Sequence, residues 1–304
     1  MRIRTTRLAA LLLGLATAAA TPASAQTRRV DAQLSRDFPN QRRDVRRQDE
    51  VNGTRVFDID IGGDKGDSNV VITESGDYLF KSVPVRTGNL PDPVTDVLGT
   101  LFKEPPKDAH LLERTSYLVD VGGRRSVRLE IDATGRIRDI VSAAHLRAEA
   151  ETIKGYEKAK WREGDAIERR LGEFFERARV KEVYQLPDAP GFYYAELTAD
   201  RDSRKVQMVL DARKEVPFWR YELRQEELPR PVLETAQRLA QGAPIRMVMR
   251  AKSSFYRVEQ PAGRDRLTID VRPTGDVTGV EGELSPAEKR IYDHPGRGGP
   301  WRRR

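Results

Sequence analysis

Ile131-Asp132-Ala133-Thr134-Gly135 is the stretch that decides how this chain is read. It closes an alternating apolar run, Val127, Leu129 and Ile131, and a second run with Ile137 and Ile140 follows. A Gly at the left-handed position is what a short hairpin with a bulge requires. The pattern recurs as Ile72-Thr73-Glu74-Ser75-Gly76, as Leu210-Asp211-Ala212-Arg213-Lys214, and as Val271-Arg272-Pro273-Thr274-Gly275. Lys214 stands where the other three have Gly, and a left-handed non-Gly residue costs roughly 1–2 kcal/mol. The interval from Gly76 to Gly135 nearly equals that from Lys214 to Gly275, whereas the interval between the pairs is longer by one helix. The excess falls on residues 144–163, a charged run with Leu146, Ala150 and Ile153 as a narrow apolar stripe. It reads as a connecting helix, with Gly155 marking a bend.

Each turn sits in a similar neighbourhood. In the second copy Asp92 suits a helix cap and Pro93 its first position. Val94, Val97, Leu98, Leu101 and Phe102 then form one helical stripe, stopped by Pro105-Pro106. Tyr117, Val119 and Val121 alternate as a strand before the hairpin strands. In the fourth copy Pro231 opens a helix with Val232, Ala236, Leu239 and Ala240, and three alternating strands follow. The third has Ile167, Leu171, Phe175 and Ala178 on a helix face, behind the capping-box pair Asp165 and Glu168. The first has a short helix at residues 31–38 and strands around Val56, Val70 and Tyr78. The expected fold class is α+β: four tandem helix-plus-antiparallel-strand repeats, paired into two domains, with helices packed on one sheet face. The expected boundaries are 26–143 for the first pair and 164–284 for the second, with a disordered basic tail at 285–304.

The ends carry the address and most of the charge. Arg2, Arg4 and Arg7, an apolar run over residues 8–20 and Ala23-Ser24-Ala25 read as a signal peptide at 1–25, cleaved before Gln26. The chain has no Cys, which excludes disulfides, thiolate metal sites and a lipid-bearing Cys. A periplasmic or secreted location follows, with no transmembrane segment. Without the leader, 51 basic groups face 47 acidic ones, and residues 285–304 alone hold six basic against two acidic. Residues 26–47 hold seven Arg against three Asp, so the body from 48 to 284 is slightly acidic. A nucleic-acid partner would need a basic face on that body, so none is expected.

Chemistry-bearing motifs are sparse. His110, His145 and His294 have no local metal spacing, and no Gly-x-Ser-x-Gly elbow, Walker or dinucleotide motif is present. Asp58, Asp60, Asp64 and Asp67 form the best candidate for calcium, but their order is not that of an EF-hand and Lys65 intrudes. A solvated loop is the favoured reading, and neither a metal nor a cofactor is expected. The basic tail with Trp301 could rest on an anionic envelope. The sharper feature lies in the third copy. If Tyr193, Ala195 and Leu197 point to the helices, Phe192 and Tyr194 point away. With Phe218, Trp219 and Tyr221 on a nearby strand, these residues form a candidate partner-binding surface. The competing reading buries the aromatics between domains or beneath the connecting helix.

Two strand-and-turn signatures carry a family resemblance: Tyr117-Leu118-Val119-Asp120 with Ile131-Asp132-Ala133-Thr134-Gly135, and Tyr193-Tyr194-Ala195-Glu196 with Leu210-Asp211-Ala212. This pattern resembles the PepSY-like domains and the tandem repeats of the beta-lactamase inhibitor protein, over nearly all of residues 31–284. The resemblance implies an exported, non-catalytic module that binds a protein or peptide through open antiparallel sheet faces. Inhibition of a particular enzyme stays open, because no inhibitory residue can be matched. An envelope-associated structural protein held by its basic termini is the second reading, and a hydrolase ranks third.

Overall fold

The computed structural model describes residues 23–281, apart from 64–65, 103, 107, 123–125, 160–174, 176, 212–214 and 263–264. Among these residues, fourteen strands form a single antiparallel sheet. The first half runs α1 (Ala23–Asp37), β1 (Arg42–Val51), β2 (Thr54–Gly62), β3 (Ser68–Thr73), β4 (Tyr78–Val85), α2 (Asp92–Leu101), β5 (Asp108–Val121), β6 (Val127–Ile131) and β7 (Ile137–Ser142). After α3 (Ala143–Lys154) the second half runs β8 (Arg179–Gln185), β9 (Phe192–Ala199), β10 (Arg204–Asp211), β11 (Phe218–Leu223), α4 (Arg230–Ala240), β12 (Ile245–Ala262), β13 (Asp265–Val271) and β14 (Val277–Glu281).

The turns that organise the sequence form as the local chemistry requires. Gly76, Gly135 and Gly275 take φ of 87°, 82° and 89°. Each N–H returns to the carbonyl three positions back, at 2.8–2.9 Å: Thr73, Asp132 and Arg272. A register shift follows in each hairpin, at Val71/Ile72, Glu130/Ile131 and Asp270/Val271. In the third copy the Asp211 N–H reaches the Glu215 carbonyl at 3.1 Å, while Lys214 lies outside the described residues.

The fold class expected from sequence is overturned by what happens between the copies. The 14-residue β5 and 18-residue β12 pair with each other from Val121↔Ile245 to Asp108↔Glu259. One end of β5 also pairs with β4 and the other with β6; β12 is shared likewise between β11 and β13. The four described strand sets are therefore fused through two long strands into one sheet, rather than paired into two. The physical cause is edge pairing: each long strand satisfies its ladder donors and acceptors against the other.

Helices α2 and α4 pack chiefly on strands of the other half. Val94 and Leu98 of α2 are buried with Val258, Leu267, Ile269 and Val271 of β12 and β13. Val232 and Ala236 of α4 are buried with Tyr117, Val119, Leu129 and Ile131 of β5 and β6. Both helices follow the same entry, Leu90-Pro91-Asp92-Pro93-Val94 in one half and Leu228-Pro229-Arg230-Pro231-Val232 in the other. Proline fits these first helical positions because their N–H groups have no intrahelical acceptor. Each entry seats against the other half's turn. A Cβ on Gly135 would lie 2.6 Å from the Pro231 carbonyl oxygen, and one on Gly275 3.0 Å from that of Pro93.

Further differences from the sequence reading are local. The first helix starts at Ala23, well before residue 31, and buries Val30 and Leu34, with Phe38 beyond its end, over β2 to β4. Gly155 ends α3 rather than bending it. Strand register places the cores around α1, α2 and α4 on one face of the sheet, here the near face. Ile153 of α3 instead meets Tyr184, Tyr194 and Val209 on the opposite, far face, so the helices do not share one side. Of the third-copy helix, Ile167 and Leu171 lie outside the described residues, while Phe175 and Ala178 pack beside β8 to β11.

Candidate functional site

The sequence-predicted surface is split by strand alternation. Phe192 and Tyr194 face the far side but are buried, at 3% and 0% exposure, beneath the end of α3. Trp219 and Tyr221 face the near side, where Phe175 meets the Trp219 ring edge-on at 5.7 Å and stacks on Tyr221 at 5.6 Å. Phe218 alone remains half-buried on the far face, packed beside Val209. The five aromatics therefore do not form one exposed cluster. The far-face polar groups beside them are mutually bonded. Tyr194 donates to Glu196 at 2.9 Å, Gln207 to Glu196 at 2.6 Å, and Arg220 to Gln207 at 2.5 Å. Burial raises the Tyr194 hydroxyl pKa, and the neighbouring Glu196 adds to it.

A different far-face site lies at the centre of the sheet. A cleft of about 180 Å³ opens over the paired strands β5 and β12, lined by Leu118, Val209, Phe218, Ala251 and Phe255 and walled by Arg114, Glu130 and Arg272. Arg114 and Ser253 are direct cross-strand partners. The Arg114 Nε donates to Ser253 Oγ at 3.3 Å, and its guanidinium lies 5.4 Å from the centre of the Phe255 ring. Glu130 stands 3.9 Å from the same guanidinium. Asp270 is held by two hydrogen bonds from Arg257, at 2.8 and 2.9 Å. The result is an apolar floor of half-buried rings with charge fixed at its rim. Sequence reasoning named Phe218 but missed Arg114 and Phe255, because the three sit on three separate strands. The recurring Tyr-x-Val-acid pattern, Tyr117 to Asp120 and Tyr256 to Glu259, was the available signal that β5 and β12 are equivalent.

On the near face, buried charges tie the halves together. Asp77 accepts from Tyr117 Oη at 2.8 Å and from Arg250 at 2.5 Å. Glu113 sits 2.7 Å from both Lys81 and Lys252. Burial pushes the Glu113 carboxyl upward, but Lys252 and Lys81 outweigh it and hold it below the ordinary glutamate value.

The other sequence candidates have structural partners. Asn69 donates to Asp58 at 2.8 Å and to Asp60 at 3.4 Å, and Arg46 pairs with Asp60. Asp64 and Lys65 lie outside the described residues, as do His294 and the tail. His110 shares a 3.1 Å hydrogen bond with Ser82 across β4 and β5, and among the described residues no carboxylate bonds its ring. His145 donates its backbone N–H to Ser142 at the start of α3. No described helix is long and apolar enough to cross a membrane.

No family model and no curated protein matches the sequence. Among solved structures, the chain is similar to a BLIP-like protein from Bacteroides fragilis, at 19% identity and a TM-score of 0.25, over 42% of this chain and 89% of that one.

Proposed function

We propose that this chain is an exported, non-catalytic binding module that holds a protein or peptide on the far face of its sheet, anchored in the cleft at Arg114, Phe218 and Phe255. The observation that carries this reading is the cleft itself: two half-buried phenyl rings with an arginine held over one of them. Arginine and large aromatics in a partly desolvated depression are what binding hot spots are made of. Export rests on the charged start, the apolar run and the small residues before Gln26.

Co-purification of the mature chain from periplasm or culture medium tests the proposal. The expected result is a retained protein or peptide whose affinity falls at least about tenfold in Phe218→Ala and Phe255→Ala, equal to about 1.4 kcal/mol, with an unchanged melting temperature. A partner bound equally well by both variants would remove the cleft from the interface.

A further inference from the structure

The far face carries a second apolar step that mirrors the first across the middle of the sheet. Tyr117 and Tyr256 are equivalent positions of β5 and β12, and Arg114 and Ser253 are separated by the same number of residues. Those two are also direct cross-strand partners, so an approximate two-fold axis passes between them. On one side of it Ser253 pairs with Phe218, and Phe218 with Val209. On the other, Lys81 pairs with Glu113, which sets Phe80 beside Arg114, and Phe80 pairs with Val71. Phe80 and Val71 are thus the counterparts of Phe218 and Val209. Val70 and Ile72 belong to the near-face core under α1, so alternation turns Val71 and its partner Phe80 to the far face. The two steps differ in cover. Val209 is 2% exposed and shares a core with Ile153 of α3. Val71 and Phe80 are half-buried and belong to none of the described cores. Beyond Val71 the row turns polar, at Asp58 and its partner Asn69, where the other half has Tyr194 beyond Val209.

Resting on the far-face binding function proposed above, we infer that the occupant is a helix of the partner protein, lying across the strands from Phe218 past Arg114 to Phe80 and Val71. The strands beneath cannot accept another strand, because β3, β4, β5, β12 and β11 each have a hydrogen-bonded neighbour on both sides. An extended segment laid flat on the rings would bury its own N–H and C=O groups without partners, whereas a helix closes those bonds internally. The chain itself uses this solution on the equivalent step, where α3 places Ile153 against Val209 and Tyr194. From β3 to β11 is four strand spacings, about 19 Å, which about 13 helical residues span. The occupant is therefore amphipathic, with an apolar stripe over three to four turns facing the sheet.

The protein recovered with the mature chain in the co-purification above is the probe. Phe80→Ala and Val71→Lys are each expected to weaken its binding at least tenfold, as Phe218→Ala does, while Val45→Lys on the exposed β1 leaves it unchanged. Hydrogen–deuterium exchange of the probe should show protection of one helix on binding. Loss of binding in Phe218→Ala and Phe255→Ala, with none in Phe80→Ala or Val71→Lys, confines the contact to the cleft. That outcome overturns this inference and leaves the cleft reading standing. Protection of a strand in the probe overturns the helical occupant alone. A probe indifferent to all four substitutions overturns both. Melting curves separate lost contact from lost fold: a fall in Phe80→Ala as large as in Tyr194→Ala would place the ring in the core and end the inference.

Discussion

Replacing Gly135 by Ala probes the interlock between the two halves. Gly135 has φ of 82°, and its missing Cβ faces the Pro231 carbonyl oxygen at 2.6 Å. Two costs arise. Holding a non-Gly residue in the left-handed region costs roughly 1–2 kcal/mol. Forcing the first turn of α4 away from the sheet is an overpacking cost of about 1–3 kcal/mol. Together they amount to about 2–5 kcal/mol, and at about 2–4 °C per kcal/mol the melting temperature should fall on the order of 10 °C. Gly242 is the control: its φ is 85°, but a Cβ there meets nothing within 4 Å. Gly242→Ala should lose only the conformational part, about 1–2 kcal/mol. Gly275→Ala, with Pro93 at 3.0 Å, should fall between. Thermal denaturation followed by circular dichroism ranks the three. Equal losses at Gly135 and Gly242 would refute the claim that Pro231 is seated on the turn.

Other outcomes are equally specific. Asp77→Asn leaves Arg250 and the Tyr117 hydroxyl without their carboxylate and should cost about 1.5–3 kcal/mol in chemical denaturation. Because the Glu113 carboxyl is held below its ordinary value in the fold, its contribution is complete above the unfolded-state pKa and is lost as pH falls through the folded one. Melting temperature should therefore drop as pH falls below about 4.3, and Glu113→Gln should start lower at neutral pH with a shallower acid limb. Tyr194→Ala should destabilise by about 3–5 kcal/mol, as deletion of a fully buried aromatic does. Millimolar calcium should leave the melting temperature unchanged, because Asn69 and Arg46 already engage Asp58 and Asp60.

Some of this was legible before any coordinates. Alternation around Ile131 located the hairpin strands, and the Asp92 and Pro231 signals located α2 and α4. The aromatic surface was not legible. Alternation says that Tyr193 and Tyr194 point oppositely, and burial beneath the connecting helix was the competing reading that Tyr194 follows; the cover of Trp219 and Tyr221 by Phe175 was not anticipated. Nor could it place Arg114 beside Phe255, which lies in the other half of the chain.

What the amino-acid order alone determined is short-range: a glycine just past a strand's last apolar residue closes a turn, because its φ and its hydrogen bond involve only neighbours. Only the tertiary structure decided that β5 takes β12 as its partner and that α2 and α4 exchange halves. Those outcomes depend on which edges and faces meet between distant parts of the chain.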